Sequence, residues 1–499
     1  MATTATVKET KQPKAAPPST RFDINEAFAK LLAVVQLNAR DTGGSITFTG
    51  EDPILPSNHR LGAIMAMGMM GPAAATQILY KMRGGPSQNL SVDLRNAVCH
   101  INPLAFFTPT IAGYPYQTLF AAPSFNPISF GIYPTKDGKW YLPTAAYPHA
   151  IPDWLGLLRC EFNRRGIGNA IAQWDAQELE DAAAERGMIG SICRSPGEWL
   201  SHPQGALLAK TPLIEIEKIG ESDPELPTLK DKKRPLAGLK VASFTHVIAG
   251  MVVGRTLAEQ GAQVLHMARP EYDYDALYED TSVGTRSTWI DLTRREYLTK
   301  AQNLLRSADV LVENFRGRKI AQFGLSADEV ARLRPGIVYA SLRAFGWDGP
   351  WGQRGGFDMD ANCCSGYTVV EGSEDQPRLP PTVILNDYLA GYLTAMGVIA
   401  ALILRAKHGG SYHVRAALTR YSMWYSELGI FDPNHVAEAI LKPDHQLIRP
   451  KGLKLETSLG TNVRLEPGIT YSETPSFWEV PGRPVLTPRG ASEAAWLDY

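Results

Sequence analysis

Short apolar runs alternate with amphipathic stretches through the second half of the chain. The runs LKVASF, QVLHMAR, ADVLVEN and GIVYASL have the length and the side-chain types of buried strands. Apolar residues at helical spacing lie between them, in VVGRTLAEQGA and over 296–306 and 326–334. Strands that alternate with helices in this way predict an α/β fold with an open, mostly parallel, Rossmann-like sheet.

The pattern changes between about residues 131 and 213. The sequence YPTKDGKWYLP predicts a β-hairpin that turns at Asp137 and Gly138. Helical patterns follow at 174–186 and 196–201, and these elements predict a second, smaller α+β domain. The predicted division is a disordered tail (1–22), a helical segment (23–120), the small domain (121–221), a charged, proline-containing linker (222–234), the Rossmann-like domain (235–425) and an extended C-terminal tail (426–499).

One apolar helical segment occurs twice. NDYLAGYLTAMG is followed by a double glycine at 409–410, and SNHRLGAIMAMG is followed by a double glycine at 84–85. Alignment of the two places Asp387 opposite Asn58, so that one copy has a carboxylate where the other has an amide. A diverged duplication predicts two similar helices, of which the second alone has this carboxylate.

Asp387 has two interpretations from its position alone. It precedes a long helical pattern, and Asp is a favoured N-cap residue, so a purely structural capping role is the simpler interpretation. The other is a functional carboxylate at a helix N-terminus, where free amides and the helix dipole stabilise negative charge.

Composition narrows the class of protein. The 499 residues are 44% hydrophobic and 20% charged with a net charge of -1, which is typical of a soluble globular protein and predicts no nucleic-acid partner. The five cysteines and ten histidines show no metal-ligand spacing, so we predict no metal, and His246 is interpreted as a satisfied loop histidine. We find no signal peptide and no apolar run of transmembrane length, and we expect a cytoplasmic protein with no membrane partner.

Five segments together carry a family resemblance. They are, in order, PLAGLKVASFTHVIAG, LAEQGAQVLHMARP, ADVLVENFRGRKIAQFGLSADEVARLRPGIVYASLRAFGWDGPW, GGFDMDANCCSGY and NDYLAGYLTAMGVIAALILRAKHGG. This set resembles the class III CoA-transferase family, whose members include formyl-CoA and carnitine CoA-transferases. The resemblance is strong over 235–421, and 59–227 resembles the later half of the same family more weakly. The order of the parts implies rearranged or partly duplicated halves.

The resemblance implies a site and its substrates. Asp387 matches the family's nucleophilic aspartate, which would form covalent intermediates with acyl-CoA and a carboxylic acid without metal or ATP. The other matched positions imply contacts with coenzyme A: Val247 and Ile248 beside the acyl end, Arg269 at the phosphates, Ile290 near the adenine, and Asn314 and Phe315 in the ENF segment. Members of the family form interlocked dimers, so we expect a homodimer.

Two alternatives stay open. An acyl-CoA racemase, isomerase or lyase of the same fold is one, although the family's racemases have a histidine where this chain has Phe357, and phenylalanine cannot move a proton. A non-catalytic CoA-binding protein is the other. We expect the acceptor pocket between the Asp387 helix and the small domain. Phe106, Phe107, Tyr114 and Tyr116 are candidates for its lining, although core packing is the simpler role for most of them.

Overall fold

The computed structural model describes residues 22–115, 126–269, 277–317, 319–478 and 485–498. Apart from Phe22, the predicted tail over 1–22 lies outside these residues. The helices are α1 (Ile24–Val34), α2 (Leu61–Met82), α3 (Leu94–Ala97), α4 (Pro103–Phe106), α5 (Ile151–Leu158), α6 (Arg164–Ile171), α7 (Ala176–Glu185), α8 (Pro196–Ser201), α9 (Pro203–Leu208), α10 (Ala249–Glu259), α11 (Tyr278–Thr281), α12 (Arg295–Leu305), α13 (Ala327–Leu333), α14 (Asp358–Ser365), α15 (Tyr367–Glu371), α16 (Asn386–His408), α17 (Leu418–Glu427) and α18 (Pro433–Ala439).

The strands form four sheets. They are β1 (Ile46–Thr49), β2 (Leu90–Asp93), β3 (Thr110–Ile111), β4 (Tyr114–Pro115), β5 (Tyr133–Pro134), β6 (Trp140–Thr144), β7 (Ile189–Ile192), β8 (Glu215–Gly220), β9 (Lys240–Phe244), β10 (Gln263–Ala268), β11 (Arg286–Trp289), β12 (Val310–Glu313), β13 (Val338–Arg343), β14 (Ser411–Ala417), β15 (Gly452–Thr457), β16 (Gly460–Leu465) and β17 (Thr470–Tyr471). The sheet orders are β11–β10–β9–β12–β13–β14–β8, β1–β2–β17, β5–β6–β7 and β15–β16–β3–β4.

The seven-stranded sheet confirms the predicted α/β fold. Its strands β9 to β14 pair in parallel, and β8 joins the edge antiparallel to β14. The four predicted strands correspond to β9, β10, β12 and β13. The sequence predicted neither β11 nor β14. It also placed β8 in the range of the small domain, although β8 pairs with the large sheet.

The chain reverses its direction across the sheet at β9. After β9 it continues to β10 and β11 on one side, and then crosses to β12, β13 and β14 on the other side. The carboxyl ends of β9 and β12 are therefore neighbours whose connections leave in opposite directions. In open α/β sheets such a switch point forms the crevice in which ligands bind.

The small antiparallel sheet confirms the predicted hairpin and has a hydrophobic cluster of its own. Strands β5 and β6 pair across a turn at which Gly138 has a φ of +78°, a value that favours glycine. Residues such as Ile128, Tyr141 and Trp154 form a cluster separate from the cluster under the large sheet. This is the smaller α+β unit expected from the sequence.

The duplicated segment forms two long helices that pack on each other. A Cβ atom on Gly68 of α2 would lie 2.1 Å from Leu389 of α16, and one on Gly71 would lie 2.7 Å from the sulfur of Met396. Glycine at these two positions thus lets the helices approach closely. In both copies a strand and a second helix follow the long helix, namely β2 and α3 in the first copy and β14 and α17 in the second.

Helices α2 and α16 correct the expectation that no apolar segment has transmembrane length. They contain 22 and 23 residues with mean hydropathies of 1.2 and 1.8, enough by length and composition for a membrane span. However, 100% and 89% of their apolar windows are buried inside the protein. Core helices of soluble proteins have the same properties, because a helix that is apolar on all sides needs to be covered on all sides.

The C-terminal segment is more structured than the extended tail predicted from its composition. Helix α18 begins at Pro433, where the Asp432 side chain accepts hydrogen bonds from the next backbone amides. Strands β15 and β16 form a hairpin that continues onto β3. The hairpin places Arg464, 1% exposed, in the protein interior. Local capping and a turn therefore override the Pro- and Gly-rich composition.

Candidate active site

The loop after β9 lies at the switch point and is held by Asn314, the residue directly after β12. The Asn314 Oδ1 accepts a hydrogen bond from the His246 N–H at 3.0 Å, and its Nδ2 donates to the His246 carbonyl at 2.9 Å. Both ends of the Asn314 amide therefore bind this loop and fix it, while the contact of Asn314 with coenzyme A stays a prediction. Val247 follows with a φ of +62°, a strained conformation for a β-branched residue that the surrounding contacts maintain.

Asp358 caps the helix that carries Asp387. The Asp358 carboxylate accepts hydrogen bonds from the backbone N–H groups of Leu385 at 2.9 Å and Asp387 at 2.9 Å, and also from that of Asn386. The interpretation of Asp387 as a simple N-cap was therefore wrong. Sequence reasoning missed Asp358, although its position directly after Phe357 in GGFD was a usable signal.

A cavity lies in front of Asp387. Its described lining is Asn126, Ser129, Phe130, Ala146, Val247, Phe357, Asp358, Met359, Ile384 and Asp387. The cavity thus brings two predicted site residues together, Asp387 and Val247. It also lies where the acceptor pocket was expected, between the Asp387 helix and residues at the start of the small domain.

Other candidate residues lie elsewhere. Phe106 and Phe107 pack against the main core, and Tyr114 is 77% exposed, so none of these three lines the cavity. Tyr116 lies outside the described residues. The side chain of Ile248 is buried in the main core at the start of α10.

Burial makes the two carboxyl groups of the cavity hard to ionise. The pKa of Asp387 is raised well above its usual range, first because the group is buried and then because the Asp358 carboxyl repels its charge. Burial also raises the pKa of Asp358, to about 6, although the backbone N–H groups of Leu385 and Asp387 oppose that rise. Of the two carboxyl groups, Asp358 is the one whose negative charge is stabilised by backbone N–H groups. Once ionised, Asp387 has no hydrogen-bond partner for its carboxylate among the described residues, and a poorly solvated carboxylate is a stronger nucleophile.

Aromatic side chains pack around Phe357, which lines the cavity. The ring of Phe357 lies 6.0 Å from that of Tyr147, and Tyr147 lies 6.3 Å from the ring of His246. Among the described lining residues, Asp358 and Asp387 are the ionisable ones. This arrangement fits a carboxylate nucleophile better than a pair of bases on opposite faces of a substrate.

A group of cations lies at the same edge of the sheet, beyond the cavity. Arg269 follows β10 and is exposed. Arg316 and Arg269 both lower the pKa of Lys319, after the larger effect of its partial burial, so the three charges lie near one another. The sequence predicted Arg269 but missed Arg316 and Lys319, although the basic run after β12 was a signal.

Phe315 and Ile290, the other two predicted CoA contacts, have different surroundings. The Phe315 ring lies 5.0 Å from the ring of His246, and both are beside the loop that contains Val247. Ile290 is 3% exposed and its side chain packs in the hydrophobic cluster under β10 and β12. Its position near the adenine of coenzyme A stays a prediction.

The family resemblance noted in the sequence implies that these cations meet the phosphates of a CoA substrate. Lys319→Ala should raise the KM for an acyl-CoA about tenfold, which corresponds to one charge-assisted contact of about 1.4 kcal/mol. The KM for the matching acyl-pantetheine, which has no phosphates, should not change. Lys300→Ala, on the exposed side of α12, is the matched control for loss of one surface charge. An equal effect of Lys319→Ala on both substrates would contradict the assignment.

Sequence comparisons identify the family. A profile of CoA-transferase family III matches residues 236–442. The chain is 30% identical over 448 residues to the acetyl-coenzyme A transferase nodX of Hypoxylon pulicicidum, covering 81% of this chain and 75% of that protein. It is also 30% identical over 209 residues to the succinate–glutarate CoA-transferase of Agrobacterium fabrum, covering 38% of this chain and 52% of that protein. This chain therefore belongs to CoA-transferase family III.

One solved structure is similar to part of this chain. A CaiB/BaiF family protein from Brucella suis is 26% identical, with a TM-score of 0.37 over 46% of this chain and 65% of that protein. The chain spans three quarters of the fungal relative and about half of the bacterial transferase.

Proposed function

We propose that this protein transfers coenzyme A from an acyl-CoA donor to a carboxylic acid acceptor, with Asp387 as the covalent nucleophile. The observation that carries the proposal is the position of the Asp387 carboxyl. It lies in the cavity beside Val247 at the sheet's switch point, while Asp358 takes over the capping of its helix. Family membership supports the same chemistry.

Four exchanges of acyl bonds complete the reaction. The ionised Asp387 carboxylate attacks the thioester carbonyl of the donor, which forms a mixed anhydride and releases the CoA thiolate. The thiolate then attacks the aspartyl carbonyl of the anhydride, giving an aspartyl-CoA thioester and the free donor acid. The acceptor carboxylate attacks that thioester, giving a second mixed anhydride and the thiolate again. Attack of the thiolate on the acceptor's acyl carbon yields the new acyl-CoA and regenerates the Asp387 carboxylate.

The surroundings of Asp387 suit this sequence. Phe130, Phe357 and Ile384 provide apolar surface around the carboxyl, which excludes the water that would hydrolyse an anhydride. The strained loop at Val247 lies on the same cavity and is fixed by Asn314, so the wall is in place before substrate binds. Asp387 needs to lose its proton before the first attack, because a protonated carboxyl is a poor nucleophile.

Intact-protein mass spectrometry tests the covalent step. The protein is incubated with a panel of donors that includes acetyl-CoA and succinyl-CoA, because relatives are named for these acyl groups, and is quenched with hydroxylamine or borohydride. We expect a mass change that peptide mapping places on Asp387 and that is absent from Asp387→Asn protein treated in parallel. Transfer of CoA without any adduct at Asp387 would overturn the proposal.

Two outcomes would favour the alternatives. Incorporation of deuterium from solvent at the α-carbon of an acyl-CoA would indicate a racemase or isomerase. It would contradict the argument from Phe357, which lies on the cavity wall and cannot move a proton. Tight CoA binding with no turnover on any donor and acceptor pair would indicate a binding protein.

A further inference from the structure

The wall of the cavity in front of Asp387 is mostly apolar. Six of its described lining residues have hydrocarbon, thioether or aromatic side chains, namely Phe130, Ala146, Val247, Phe357, Met359 and Ile384. The others are Asn126, Ser129 and the two aspartates, so the described lining contains no lysine, arginine or histidine. Residues 116–125, which precede Asn126 and lie outside the described part of the chain, contain none of these three residue types either.

The two neutral polar side chains of the wall are used within the protein. The Asn126 amide donates to the Ala145 carbonyl at 3.1 Å and to the Ser129 hydroxyl at 3.2 Å. The Ser129 hydroxyl in turn donates to the Ile128 carbonyl. Because an amide group has two N–H donors and a hydroxyl has one, neither side chain has a donor left for a substrate.

The charge around Asp387 is negative. Burial and the Asp358 carboxyl both raise the pKa of Asp387, and no cation among the described residues lowers it. Arg269 and Arg316 act on the pKa of Lys319, but none of these three cations acts on that of Asp387. A second negative charge that entered this cavity would therefore lose its water and gain no partner.

We propose that the acyl groups exchanged at Asp387 are uncharged, so that donor and acceptor both derive from monocarboxylic acids. This assignment rests on the proposed function, in which the two acyl groups are bonded to the Asp387 carboxyl in turn and occupy the same cavity. A dicarboxylic acyl group would bring a second carboxylate into apolar surroundings without a cation or a free donor, which is strongly unfavourable. The Asp358 carboxylate would also repel that charge.

Equilibrium binding to the full chain with Asp387→Asn tests the proposal without turnover. The probes are two pairs of thioesters matched in carbon number, butyryl-CoA with succinyl-CoA and propionyl-CoA with malonyl-CoA. The CoA part is common to all of them, so a difference within a pair reports on the acyl group. We expect the uncharged member of each pair to bind at least 30-fold more tightly. Equal binding within the pairs would overturn the proposal.

A charge added to the wall tests the reason for this preference. Ala146 is a half-buried lining residue, from which a long side chain can reach the cavity while it keeps contact with water. Ala146→Lys should reduce the preference for butyryl-CoA over succinyl-CoA at least tenfold. Ala146→Met, which has a similar length and no charge, is the matched control and should leave the preference unchanged. If the two variants give the same preference, the missing cation does not exclude the second carboxylate and the proposal is wrong.

Turnover of the wild-type protein separates this proposal from the proposed function. With butyryl-CoA as donor, propionate should accept CoA at least 100-fold faster than succinate does. Equal rates with the two acceptors would overturn the assignment of the acyl group and support the transferase activity. Failure of every pair to react, with the preference in binding retained, would overturn the transferase activity alone.

Discussion

Asp387→Asn should reduce CoA transfer by about 10⁴-fold or more while acyl-CoA binding changes little. The neutral amide cannot attack a thioester, and loss of a covalent nucleophile typically costs this much in kcat. Asn keeps the size of the side chain, and the capping bonds from Asp358 involve only the backbone of residue 387. Steady-state kinetics for turnover and equilibrium binding of a CoA ester provide the two readouts.

The same substitution should stabilise the fold at neutral pH. The pKa of Asp387 is raised in the folded protein, so its ionisation costs folding free energy as the pH rises from about 4 through the folded value. Asp387→Asn removes that cost, and thermal unfolding at pH 5 and pH 8 should show the larger gain at pH 8. A variant that is both inactive and less stable at both pH values would indicate a structural role instead.

The duplicated helix offers a matched control. Asn58 donates its side-chain amide to the carbonyl of Val370 at 2.8 Å, in surroundings unlike those of Asp387. We therefore expect Asn58→Asp to leave transfer unchanged in the wild type and to restore none in the Asp387→Asn protein. Recovery of activity in the double variant would contradict the assignment of a single nucleophile.

Asp358→Ala should destabilise the protein by about 2–4 kcal/mol at pH 5. It leaves three buried backbone N–H groups at the start of α16 without an acceptor. The loss should shrink at higher pH, because the wild-type folded state itself loses stability as Asp358 ionises between about pH 4 and pH 6. Denaturant unfolding at several pH values measures both effects.

Asp52 caps α2 in the same way, so a substitution at this residue tests the effect of capping apart from catalysis. Its carboxylate accepts from the N–H groups of Gly62 at 2.9 Å and Ala63 at 2.7 Å, and burial raises its pKa to about 6. Asp52→Ala should cost about 1–3 kcal/mol of stability and leave the pH dependence of transfer unchanged.

Asp358→Asn, by contrast, should move the acidic limb of the kcat/KM profile to lower pH. It removes the like charge that raises the pKa of Asp387 while keeping an acceptor for the cap. A limb that stays in place would show that Asp358 does not act on Asp387.

Four strands of the parallel sheet were predictable because each had a local signal. The apolar runs of β9, β10, β12 and β13 stand between clear helical periods, so length and periodicity were enough. Strand β14 was missed although SYHVRAA alternates polar and apolar residues as a half-buried strand does. Its place beside β13 depends on a partner distant in the chain. The hairpin of β15 and β16 was missed because the Pro-, Gly- and Thr-rich composition of the segment predicts an extended tail and its alternating pattern is short.

The candidate site was predictable in part, for a similar reason. The resemblance led to Asp387 and Val247, which share a cavity, because both lie in short segments with recognisable neighbours. The roles of Asp358 and Asn314 could not be read from the chain. Each acts through side-chain bonds to backbone groups 27 to 68 residues away, and those bonds exist only in the folded protein.

The pairing of α2 with α16 has a consequence for synthesis of the chain. The final residue of α16 is numbered 408 and that of α2 is 82, so at roughly 5–20 residues per second α2 leaves the ribosome about 15–65 s before its partner is complete. Through that interval the nascent chain exposes an apolar helix with the length and hydropathy of a membrane span. Such a segment is recognised by chaperones that hold hydrophobic chains and by the machinery that delivers proteins to membranes. We therefore expect the yield of folded protein to depend on shielding of α2 until α16 is complete.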